Sequence, residues 1–131
     1  MKILVVDDER DIKTLFEQRF RREIRDKIID FAFAFSGEEA LVCIEKYDHE
    51  AVLILSDINM PGMSGLELLD RIKQKSRTPP PVVMMLTAYG DAENYKRAME
   101  LGADDFLTKP VDFIALREKI KTFEYDKNIG S

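Results

Sequence analysis

The chain has 131 residues, 45% of them hydrophobic, and a formal net charge of −5 from 20 Lys+Arg against 25 Asp+Glu. That length fits one domain with a sizeable core and leaves little room for a second, and the acidic balance argues against binding nucleic acid through the overall field. The single cysteine excludes an internal disulfide, and no apolar run approaches the ~18 residues of a membrane span.

Lys2 to Val6 is a short apolar run that stops at three carboxylates, Asp7-Asp8-Glu9. It reads as a strand and not as a charged, apolar and small-residue leader, so a cytoplasmic protein of the reducing compartment is expected. From Arg10 the spacing turns helical, with Ile12, Leu15, Phe16, Phe20 and Ile24 on one face and Lys13, Arg19, Arg21, Arg22 and Arg25 elsewhere. Charge is what exposed helix faces carry, so a solvated face accounts for these basic residues, and a docking face is the other reading.

Ile29 to Phe35 alternates phenylalanine and alanine and reads as a strand. Ser36-Gly37-Glu38-Glu39 opens a helix as a capping box, with the Ser36 oxygen on the Glu39 amide and the Glu39 carboxylate reaching back. Ala40, Leu41, Ile44 and Tyr47 form its inward stripe. Cys43 lies on this helix and His49 in the turn after it; with no second Cys or His in the chain, zinc is unsupported.

Ala51 to Ser56 is apolar or small throughout and too short for a helix packed on all sides, so it reads as a strand buried on both faces. Asp57 follows it, ahead of a Met60-Pro61-Gly62 loop, and so emerges at the carboxyl edge of a sheet, where open α/β folds carry their chemistry. Taken alone, an aspartate that caps a turn is an equal reading. Ser64-Gly65-Leu66-Glu67 is a second capping box, opening a helix with Leu66, Leu69 and Ile72 inward and an end near Lys75.

Pro79-Pro80-Pro81 marks a loop, either an extended connection or bait for an aromatic groove. Val82 to Leu86 is the fourth strand and ends in Thr87-Ala88. A helix follows from Asp91 with the stripe Tyr95, Ala98, Met99 and a left-handed cap at Gly102. The fifth strand, Asp104 to Thr108, ends at Lys109-Pro110. Asp112 caps a last helix with Leu116, Ile120 and Phe123 inward, so the domain is expected over 1–123, with 124–131 as a tail or the start of a linker. Five strands alternating with five helices predict a doubly wound α/β fold around a parallel sheet.

The strand ends collect Asp7 and Asp8, Asp57, Thr87 and Lys109 on one edge. Carboxylates about 4 Å apart repel by about 1 kcal/mol per pair in water and several-fold more near a protein surface, so a cation belongs among them. Lys109 offsets one charge, and Mg²⁺, a hard cation taking oxygen ligands, suits Asp7, Asp8, Asp57 and the Asn59 backbone carbonyl. A carboxylate can attack phosphorus to give an aspartyl phosphate, with Asp57 as nucleophile and Lys109 and the Thr87 hydroxyl on the phosphoryl oxygens.

In VVDDE (Val5 to Glu9), SGEEAL (Ser36 to Leu41), DINMPGMSG (Asp57 to Gly65), LTA (Leu86 to Ala88) and GADDFLTKP (Gly102 to Pro110) the chain resembles the receiver domains of two-component response regulators, over nearly its whole length. The resemblance implies a flavodoxin-like strand order, 2-1-3-4-5, and an Asp57 that accepts a phosphoryl group from a histidine kinase or phosphotransfer protein. It implies that Thr87 and the aromatic Phe106 move together on phosphorylation, altering the surface of the fourth helix, fifth strand and last helix, and that the Lys109-Pro110 bond is cis. Phe106 lacks the hydroxyl of the commoner tyrosine, so packing alone would work the switch. Tyr89, two residues past Thr87, is placed to shield the phosphoryl group from water. The first helix is expected to run a turn long, through Arg21 to Lys27. No effector domain follows Phe123, so the chain is a stand-alone receiver or one excised from a longer protein, with no direct contact to nucleic acid.

Two other functions match the sequence less well. An aspartate-dependent phosphohydrolase of the dehalogenase type uses D-x-D after its first strand, where this chain has DDE. A flavin or nucleotide carrier needs a Ser/Thr/Gly-rich first loop or G-x-x-x-x-G-K-[ST], and neither is present.

Overall fold

A computed structural model describes residues 1–47, 52–75, 80–88 and 90–130, apart from the side chains of 52 and 124–130. His49, Pro79 and Tyr89 lie outside the described residues. The elements run β1 (Lys2–Val6), α1 (Asp11–Arg19), α2 (Arg21–Arg25), β2 (Asp30–Ala34), α3 (Gly37–Lys46), β3 (Val52–Asp57), α4 (Gly65–Gln74), β4 (Val82–Ala88), α5 (Ala92–Glu100), β5 (Asp105–Lys109) and α6 (Phe113–Gly130). The strands form one parallel sheet in the order β2-β1-β3-β4-β5, as expected.

Side-chain alternation along each strand divides the core. Leu4, Val6, Ala34, Ile54, Val83 and Met85 face a layer built from α3, α4 and α5, where Ala40, Ile44, Leu66, Leu68, Leu69, Ile72 and Ala98 are buried. Ile3, Val5, Leu53, Leu55, Met84, Leu86 and Leu107 face the other way, onto Phe16, Phe20, Leu116 and Ile120. The phenylalanines of β2 point to this second side, where Phe31 meets Phe16 edge-on at 5.8 Å and Phe33 does so at 6.4 Å.

Among the described residues there are six helices where five were expected, because the first breaks at Phe20. Phe20 takes φ −111° and ψ 23° while its ring, fully buried, stays against Phe16, Phe31 and Phe113. Anchoring that ring in the core turns the following residues out of phase, so the expected inward Ile24 is exposed, as is Leu15 on α1. The expected stripe on α5 also narrows. Only Ala98 is buried, and Tyr95 (43%) and Met99 (54%) remain exposed, since a small residue lets the helix sit close to the sheet and leaves its flanks outside.

Both capping serines perform as read: Ser36 Oγ accepts from Glu39 N at 3.1 Å and Ser64 Oγ from Glu67 N at 3.2 Å. The return arm of the box differs between them. Glu39 accepts from Phe35 N, while Glu67 pairs with Arg71 one turn along α4. Asp91 and Asp112 cap α5 and α6 through Asn94 N, Ile114 N and Ala115 N. Gly102 takes φ +96° after α5. The helical backbone of α6 continues past Phe123 to Gly130.

Candidate functional site

Asp57 is the last residue of β3 and not the first beyond it, paired in register with Leu86 of β4, and Lys109 is the last residue of β5. Register places both on the α1/α6 side of the sheet, because their partners or alternate neighbours, Leu86 and Leu107, pack there. Asp7 follows β1 directly and donates its backbone N–H to Ala34 O at 3.1 Å. Three strand ends therefore deliver a carboxylate, a carboxylate and an ammonium to one point. Lys109 Nζ donates to Asp57 Oδ2 at 2.9 Å and lies 3.4 Å from Asp7 Oδ2.

Asp7 is 1% exposed and Asp57 5%, whereas Asp8 is exposed. One carboxylate oxygen from each of Asp7, Asp8 and Asp57 can be chosen so that all lie within 4.8 Å of one another. Asp7 Oδ1 accepts from the Glu9 N–H at 2.9 Å while Oδ2 faces Lys109, which fixes its orientation. An all-oxygen set of three acids, two of them buried, fits a hard divalent cation better than a soft one.

Burial pushes the Asp57 carboxyl above its usual range, helped by the charge of Asp7, and the Lys109 bond and an Asn59 backbone N–H only partly offset this. For Lys109 burial pulls the other way, yet its bond to Asp57 and the charges of Asp57 and Asp7 hold the ammonium above its ordinary value. Lys109 thus stays charged, beside a carboxylate more basic than a free one, which is how a poised nucleophile is arranged.

The loop that carries Asp57 into α4 is fixed from several sides. Gly65 N donates to Ile58 O at 2.7 Å, and a Cβ on Gly65 would stand 2.0 Å from the Asp57 carbonyl oxygen and 2.7 Å from Ile58 Cα. Only glycine allows that approach. Gly62 turns with φ +73°, and Met63 N donates to Glu38 Oε1 of α3 at 3.2 Å. Ser56 Oγ donates to the Asp57 carbonyl at 3.0 Å.

Thr87 lies inside β4, which runs two residues past the expected end at Leu86, and is 4% exposed. Its register partner is Thr108, its neighbour Leu86 is the register partner of Asp57, and its alternate neighbour Met85 packs toward α3, α4 and α5. Its hydroxyl donates to Leu107 O at 3.4 Å, a long and weak hydrogen bond. Phe106 packs against the core on the α3, α4 and α5 side. The Lys109-Pro110 bond is cis. Of the expected site residues, Asp7, Asp8, Asp57 and Lys109 converge, and Thr87 follows the register partner of Asp57 on the neighbouring strand.

A family model for the response regulator receiver domain matches residues 3–121. The chain belongs to that family. This receiver is 42% identical over 123 residues to the response regulator protein PilR of Pseudomonas aeruginosa, a match covering 92% of the chain and 25% of PilR. It is 38% identical over 120 residues to a cyclic di-GMP phosphodiesterase of Thermotoga maritima, covering 92% of the chain and 30% of that protein. The chain therefore spans less than a third of either. Among solved structures, a response regulator receiver domain protein from Clostridium thermocellum superposes with a TM-score of 0.83 at 30% identity, over 99% of this chain and 98% of that one. Two-component signalling is the function class, and among the described residues no helix is long and apolar enough to cross a membrane.

Two residues of this receiver escaped the sequence reading. Tyr95 of α5 lays its ring on Phe106 at 4.3 Å between centroids. Its signal was there, in a Tyr95/Met99 pair one turn apart on a helix whose inward position Ala98 already filled. Gly65 closes the DINMPGMSG motif and sits in a capping box, but neither pattern carries its proximity to the Asp57 carbonyl, which is a tertiary contact.

Proposed function

We propose that Asp57 is the phospho-acceptor of this receiver. An Asp57 carboxylate oxygen attacks the phosphorus of a phosphohistidine on a histidine kinase or phosphotransfer protein. The new O–P bond forms as the P–N bond breaks, and the imidazole leaves with the electron pair and takes up a proton. The observation that carries this reading is the Lys109 ammonium held between buried Asp57 and buried Asp7, a preformed cation where phosphoryl charge would arrive.

Asp7, Asp8, Asp57 and the Asn59 carbonyl would hold Mg²⁺, which when bound supplies positive charge for the phosphoryl oxygens. Asp7 is oriented for this by the Glu9 N–H. The receiver acts on no other substrate; it catalyses its own phosphorylation and slow dephosphorylation. Tyr89 shields the phosphoryl group, so Tyr89→Ala should speed phosphate loss, and an unchanged rate would remove that role.

The weak bond from Thr87 to Leu107 O leaves the hydroxyl ready to exchange that acceptor for a phosphoryl oxygen. Moving Thr87 opens space for Phe106, and the ring tilted against it, Tyr95, carries the change to the exposed surface of α5, β5 and α6. Residues 1–123 act as the receiver unit and 124–131 lead toward an effector, in the cytoplasm with the kinase and without nucleic-acid contact by this domain.

Acetyl phosphate with Mg²⁺ tests the assignment. Wild type should gain one phosphoryl group and Asp57→Asn none; equal labelling of the two would overturn it.

A further inference from the structure

A groove of about 940 Å³ opens between α1, α2 and α6. It lies away from the Asp57 site, because α1 leaves the carboxyl edge after Asp7 and reaches the opposite edge at α2, just before β2 begins. Its lining includes six cations, Arg19, Arg21, Arg22, Arg25, Arg117 and Lys121, and one carboxylate, Glu23. Glu23 is already consumed: Arg117 Nε binds it at 2.8 Å, while Arg117 Nη2 donates to Arg19 O at 2.7 Å. Arg25 pairs with Asp26 and Lys121 lies 3.8 Å from Glu118, but among the described residues Arg19, Arg21 and Arg22 have no carboxylate within ion-pair distance.

Arg19 stands over the Phe113 ring at 5.4 Å and the charge of Arg22 acts on Glu23, but three guanidinium groups without an ion pair of their own, concentrated in a concave surface of an acidic protein, are an unusual arrangement, since like charges in one hollow repel. Their chemistry is also selective. Guanidinium forks match carboxylates in bidentate pairs and suit desolvated ion pairs better than ammonium groups do.

We propose that this groove is a docking site for an acidic protein segment, one that presents several Asp or Glu side chains along an extended or helical stretch. The class of partner follows from what surrounds the arginines. With the groove positive and the whole chain at −5, the rest of the molecule is more acidic than its total, which repels any polyanion long enough to run beyond the groove, a nucleic acid strand above all, and leaves a short acidic segment confined to it. No aromatic ring lines it for base stacking: Phe20, beneath Arg117, is fully buried, and the half-buried Phe113 is covered by Arg19. A concave surface also fits a segment of chain better than the plane of a bilayer. The docking site is independent of whether Asp57 is phosphorylated.

Fluorescence anisotropy of a labelled Glu-rich peptide about three helical turns long, titrated with the full chain, tests the proposal. Binding should saturate, weaken steeply as salt rises to physiological strength, and fall at least about ten-fold in Arg21→Glu/Arg22→Glu. A peptide with Gln in place of Glu should not bind. Both arginines are exposed, so the melt should be preserved; if the double reversal is unfolded, Arg21→Gln/Arg22→Gln should show the same loss in smaller degree. Absence of binding by wild type, equal affinity of the variants, or tighter binding of a single-stranded RNA oligomer or of acidic phospholipid vesicles would overturn it.

Discussion

Replacing Gly65 by alanine puts a methyl carbon 2.0 Å from the Asp57 carbonyl oxygen and 2.7 Å from Ile58 Cα. Neither neighbour is a flexible side chain. Reaching an ordinary contact of ~3.5 Å requires the backbone of β3 or of α4 to retreat by about 1.5 Å, and the Gly65 N–H to Ile58 O bond of 2.7 Å must stretch with it. Overpacking of this kind costs about 1–3 kcal/mol. A displacement of about 1 Å in a reacting group can cost about a hundred-fold in rate, so the Gly65→Ala variant should phosphorylate about a hundred-fold more slowly with acetyl phosphate and Mg²⁺. Gly37→Ala is the milder comparison: its Cβ meets Met63 Sδ at 2.8 Å, Cγ at 2.9 Å and Cβ at 3.0 Å, all side-chain atoms and no backbone, so turning the thioether relieves part of the crowding and the loss should be smaller than for Gly65→Ala. Urea unfolding and initial labelling rates on both variants decide the matter. A Gly65→Ala protein with wild-type stability and rate would refute the close-approach argument.

Lys109→Met removes the counter-charge of two buried acids, so the Asp57 carboxyl should titrate still higher by NMR; a fall or no change would contradict the pairing. Glu23 is held below its ordinary 4.5 chiefly by its hydrogen bond to Arg117. The unfolded state therefore binds its proton more tightly than the native state, and the pair's contribution is full above that ordinary value and lost as pH falls through the lower folded one. Glu23→Gln should flatten the acid limb of stability measured by urea unfolding, by about 1 kcal/mol for a partly screened pair. Tyr95→Ala, which deletes the ring on Phe106, should cost about 1 kcal/mol of stability and blunt the phosphorylation-dependent chemical-shift changes in α5, while leaving the labelling rate of Asp57 intact.

The parallel sheet was legible because each strand announces itself locally. Apolar runs bounded by Pro, Gly or acid gave all five, and alternation in β2 correctly set Phe31 and Phe33 apart from Ala32 and Ala34. Strand ends were less legible, since Asp57 and Thr87 extend their strands through backbone pairing with neighbours that a local pattern does not see. The break at Phe20 was hidden for a similar reason. Helical spacing continues through it, and only the four-ring contact of Phe16, Phe20, Phe31 and Phe113 holds the ring in place while the backbone turns. At the site, chemistry by residue type brought Asp7, Asp8, Asp57 and Lys109 together correctly, because all are set by strand ends. Residue type could not show that the Thr87 hydroxyl is engaged with Leu107 O, which depends on register.

Peptide mapping of the chain after reaction with acetyl phosphate and Mg²⁺ tests the central claim most directly. The account predicts a single phosphoryl group, on the peptide that carries Asp57. A phosphoryl group found instead on Asp7, on Asp8 or on any hydroxyl residue would contradict it.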